Sequence, residues 1–74
     1  MRGAVDRMAE LEERYHRLHR RAVEIRQWLA TIAAAPEGAN LDELNRARAM
    51  LAQGEIEKVA ILREIEAIED RLLD

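Results

Sequence analysis

Pro36 is the only proline in the chain, and a long heptad pattern runs away from it on either side. A proline ring clashes with the helical turn before it and has no N–H to donate. It also pushes the preceding residue, Ala35, out of the α region, so a helix arriving from the N-terminal side is expected to stop at Ala34 or Ala35. Gly38 offers a positive φ at little cost and is expected to help reverse the chain. Asn40 followed by Glu43 reads as an N-cap and N3 pair, with the amide oxygen bonding the first turn and the carboxylate reaching back. A connection this short makes its two helices antiparallel neighbours. The expected fold is therefore all-α, an antiparallel coiled-coil-like hairpin. One domain covers residues 1–74, with a helix over about 5–34, a turn over 35–40 and a helix over about 41–72.

The heptads supply the seam. In the first helix Met8, Tyr15, Ala22 and Leu29 take position a, and Leu11, Leu18, Ile25 and Ile32 take position d. In the second, Leu44, Ala47, Leu51, Gly54, Ile61, Ile65, Ile68 and Leu72 keep one frame, with Lys58 as a further irregular member. Folding about the turn pairs positions whose numbers sum to about 76, which brings Leu11 to Ile65 and Tyr15 to Ile61. Ala22 meets Gly54 in that register, a small–small pair expected to let the backbones approach closely. Lys58 meets Leu18, where its methylenes are expected to lie on the seam while its ammonium rises to water. One flank carries Arg7, Arg14, Arg21 and Trp28. Arg14 and Arg21 are expected to face Glu57, Arg7 and Arg14 to lie near Glu64, and Trp28 to sit beside Met50.

A two-helix hairpin encloses no core, and a chain of 74 residues without cysteine has no disulfide to compensate. Association is the remaining expectation, as a homodimer or on a larger protein partner. The apolar residues that the seam leaves over point to where. Val23 and Ala30 on the first helix, with Ala52, Ile56, Val59 and Leu62 on the second, share the side away from the Arg/Glu row. Clustered apolar exposure of this kind marks a contact surface, and two hairpins meeting there would form a four-helix bundle.

Charge narrows the partners. Residues 1–35 hold seven Arg against five acidic side chains, +2; residues 36–74 hold five basic against ten acidic, −5; the total is −3. Opposite signs on the two halves favour their docking, or self-association, over a large external polyanion. The stripe of Arg14, Arg17, Arg20 and Arg21 is interleaved with Glu10, Glu12, Glu13 and Glu24, which argues against nucleic acid. No apolar run approaches a membrane span and no tripartite signal start is present, so a cytoplasmic protein without membrane contact is expected.

Catalytic sets are missing from the pattern: no Ser/His/Asp or Cys/His group, no glycine-rich phosphate loop, and no cleft in a two-helix ridge. No enzyme activity and no cofactor are expected. The alternative reading is a metal-binding helical bundle using Glu13, His16 and His19, because Glu13-x-x-His16 has the spacing of di-metal bundle ligands. Against it, Glu13 and His16 fall at outward heptad positions and arginines surround them. In length and layout the chain is similar to the short helical-hairpin chaperones of bacterial type III secretion, and to small helical phage proteins that assemble on larger machines. The likeness is one of layout, so no residue role is carried over. The surplus apolar side makes the expected function a non-enzymatic interaction or assembly module, a small adaptor, chaperone-like or inhibitor subunit acting through an apolar helical face.

Overall fold

The computed structural model describes residues 2–73, with side chains from residue 3 onward, so the domain's terminal Met1 and Asp74 lie outside the described residues. Helix α1 spans Arg2–Ala34 and helix α2 spans Leu41–Leu73, each of 33 residues, joined by a 3₁₀ turn at Pro36–Gly38. At 1.5 Å per residue each helix is roughly 50 Å long. The molecule measures 56 × 14 × 14 Å, the length of one helix and not of two end to end. The helices pack against each other as a hairpin. No helix among the described residues is long and apolar enough to cross a membrane.

Pro36 acts where the chain must leave the first helix. Ala35 adopts φ −139° and ψ 73°, outside the α region, while its N–H still reaches the carbonyls of Thr31 (3.2 Å) and Ile32 (3.1 Å). The reversal then differs from the glycine-based expectation. No glycine among the described residues has a positive φ. The 3₁₀ turn instead closes with the Ala39 N–H donating to the Pro36 carbonyl at 3.0 Å, so ordinary backbone angles suffice at Gly38. Asn40 caps α2: its Oδ1 accepts from the N–H groups of Asp42 (2.9 Å) and Glu43 (3.3 Å). The return arm, from the Glu43 carboxylate to Asn40, is not among the hydrogen bonds of the described residues.

Burial is uneven along the rod. Leu11, Ile61, Ile65 and Ile68 form the core cluster, with Ala4, Met8, Tyr15 and Leu18 packed against it. All of these lie in the half away from the turn. Towards the turn Ala22 is buried, and Ile25, Leu29, Ile32, Leu44, Ala47, Leu51 and Gly54 are half-buried. Leu72, expected in the seam, is exposed, because the residue opposite it is only Ala4 and α1 has nearly run out. The Ala22–Gly54 approach is also corrected. A Cβ built on Gly54 meets nothing within 4 Å, and a groove lined by Leu18, Ala22, Ile25 and Leu51 opens beside it.

Candidate interaction surface

The two flanks of the seam differ in chemistry. On the first, Arg7 donates to Glu64 at 3.0 Å, and that hydrogen bond, with the carboxylate's charge, raises the guanidinium pKa above its usual value. Arg14 and Arg21 form no ion pair with Glu57 or Glu64 among the described residues. Arg21 and Glu57 instead stand on the rim of the groove beside Gly54. A side chain missing from Gly54 leaves that groove open, and an exposed pair gains too little to immobilise two long side chains across it. Nearer the turn, Trp28 and Met50 line one depression with Ile25 and Ala47 between Glu24, Glu43 and Arg46.

On the second flank Arg26 donates to Glu55 at 2.9 Å. Lys58, at a seam position, does not lift its ammonium to water. The residue is buried, and Nζ lies 3.3 Å from His19 Nδ1, 3.5 Å from Glu55 Oε1 and 5.4 Å from the centre of the Tyr15 ring. An ammonium has only donors, so in this contact Nδ1 takes the accepting role. The Tyr15 and His19 rings stack at 6.4 Å with 2° between their planes, and His16 meets the Tyr15 edge at 6.0 Å. These neighbours hold the charge inside the flank, which is why the simple picture of a lysine reaching for solvent fails here.

Glu13, His16 and His19 are not brought together as a ligand set. Among the described residues no group of three His, Cys, Asp or Glu is placed to share a metal ion. His19 Nδ1 is taken up by a cation, and nothing in this arrangement favours the metal reading.

Beside the second flank lie the surplus apolar residues. Ile56 is 65% exposed, Val59 48%, Leu62 44% and Val23 37%. Ala30 and Ala52 are exposed as well. A shallow depression along α2 is lined by Glu55, Ile56, Val59, Ala60 and Arg63. At both ends of the same side of α2, Leu41 and Leu73 are exposed too. Sequence reasoning left those two out. The signal was there, since Leu41 and Leu73 keep the spacing that carries Ala52, Val59 and Leu62 along that side.

Comparison with protein-family models, with curated proteins and with solved structures gave no match.

Proposed function

We propose that the chain is a non-enzymatic protein–protein interaction and assembly module: a small adaptor, chaperone-like or inhibitor subunit working through the apolar side of α2. The observation that carries this reading is the cluster of Ile56, Val59 and Leu62, all large, aliphatic and exposed at the middle of the rod. Each would gain about 25 cal/mol per Å² on being covered, and scattered surface residues do not line up in this way. The hairpin's accessible area supports it further. At 8.5 kDa a compact monomer would expose roughly 4,700 Å². This chain exposes 5903 Å². The difference is of the order of a standard interface.

The test is to ask whether anything covers the face in a native extract. Ile56→Cys and Leu62→Cys would be expressed singly, with Glu13→Cys as a control on the outer side of α1, and thiol labelling rates compared. The reading expects both face positions to label several-fold more slowly than the control in the extract, and to recover after denaturation. Equal rates at all three would overturn it.

A further inference from the structure

We infer that the occupant of this face is a second copy of the chain, docked antiparallel with α2 against α2. The inference rests on the reading of the apolar side of α2 as a contact surface, and adds what covers it and in which direction.

Three observations identify the partner. The first is position. Ile56 and Val59 sit at the middle of α2, which runs over Leu41–Leu73, so a two-fold axis across the rod at this point overlaps two copies along their whole length. A patch at the centre of a rod is self-complementary; one near an end would leave half of each molecule overhanging. The second is register. Under that axis, α2 residues whose numbers sum to about 115 meet, so Ile56 covers Val59 of the second copy and Leu62 covers its Ala52. Leu41 at one end meets Leu73 at the other, and both are exposed in the single hairpin.

The third observation is charge, and it sets the direction. Arg48 lies on the same side of α2 towards the turn, whereas Glu66 and Glu69 lie on it towards the open end, and all three are exposed. Antiparallel docking places Arg48 over Glu66 and Glu69 of the second copy, twice by symmetry. It also brings Arg26 of α1 near Glu12 of the second copy. A parallel arrangement rotates one hairpin about the rod axis, which lays α2 over α1. Arg48 then meets Arg26, and Glu66 meets Glu12. Only the antiparallel direction brings Leu41 to Leu73 and sets Arg48 against Glu66 and Glu69; the parallel one would set Arg63 against Glu12 but Arg48 against Arg26, with neither apolar end meeting the other.

Sedimentation equilibrium on the purified full chain, with circular dichroism as a control for helix content, tests the occupant. The expected species has twice the 8.5 kDa mass of the chain. A monomer at all concentrations would overturn the second copy as occupant. If the face were still protected in extract, the interaction reading would survive with a different partner; if unprotected there too, both would fall. Direction is tested by charge reversal. Arg48→Glu alone, and Glu66→Arg with Glu69→Arg alone, should each weaken self-association by about tenfold or more at low salt. An equimolar mixture of the two variants should recover a heterodimer, because every reversed pair is then complementary. That recovery also shows that each variant still folds. Tightening of the dimer by Arg48→Glu would overturn the antiparallel arrangement, since only a parallel dimer places Arg48 beside Arg26. Failure of the mixture to recover would overturn it as well.

Discussion

At Gly54 and Lys58 a seam position is filled by a residue that a seam does not ordinarily choose. Gly54 has no neighbour that its missing side chain would strike, so its effect on stability is the helix-propensity cost of glycine alone. Gly54→Ala is therefore expected to raise stability by about 0.5–1 kcal/mol, a gain of several degrees in thermal midpoint for a domain of this size. Gly54→Leu should do at least as well, because its side chain would enter the groove formed by Leu18, Ala22, Ile25 and Leu51. A fall in midpoint for both would show that the helices do close at this level. The sequence made Ala22 and Gly54 opposite numbers. It held no measure of the distance between the helix axes, which depends on the larger side chains at either side. Lys58 is a case of the same kind, since its position in the seam was legible but the partners for its ammonium came from the second flank. Lys58→Met keeps the packed stem and loses the charge, whereas Lys58→Ala loses both. The alanine variant is expected to cost about 2 kcal/mol more than the methionine variant by chemical denaturation. Equal costs would mean that the contacts of the ammonium, not its stem, are what the fold uses.

Among the elements, the half of the hairpin away from the turn carries most of the buried apolar surface. Leu11 is completely buried and packs with Ile61, Ile65 and Ile68, whereas the pairs nearer the turn are only half-covered. Leu11→Ala is accordingly expected to cost about 2–5 kcal/mol, and Ile32→Ala clearly less, because its site is already open to water. Amide exchange should follow the same division. Residues of the Leu11 and Ile65 level should be the slowest, and those between Ile25 and Ile32 should exchange sooner, through local opening. Uniform protection along both helices would contradict this picture. The heptad period predicts which residues face the partner helix, because a 3-and-4 spacing keeps one stripe in register over many turns. It does not predict depth. That follows from side-chain size on both helices at each level, and Ala47 or Ala4 cannot cover what Ile65 and Ile68 can. The turn divides in the same manner: Pro36 and Asn40 act by local chemistry and were legible, with Asn40→Ala expected to remove about 1 kcal/mol. The 3₁₀ closure was not, since two routes reverse a chain over five residues and only one of them needs a positive φ.

For the whole molecule the question is how a rod one helix pair thick maintains itself. With no third layer, Ile56, Val59 and Leu62 are stabilised only when something lies on them, and a second hairpin would make one helix pair into two. Folding and association are then linked, because a partner that binds only the folded chain stabilises it by mass action. For a dimer unfolding to two free chains, each tenfold rise in protein concentration adds about 1.4 kcal/mol per dimer. Spread over the unfolding entropy of two such chains, that is an increase of about 4 °C in midpoint. Thermal melts of the unmodified chain across two decades of concentration should show this slope. Ile56→Glu combined with Val59→Glu should remove it, since two carboxylates at the dyad would face their own copies across a desolvated contact. The double variant should also melt no higher than the unmodified chain at its most dilute, because both are then measured as single hairpins. The contact is misplaced if the concentration slope survives in the double variant, because any folded dimer that unfolds to free chains shows such a slope wherever it is held. Ile56, Val59 and Leu62 would then be gaining nothing from the second copy, and a different side of the hairpin would hold the dimer.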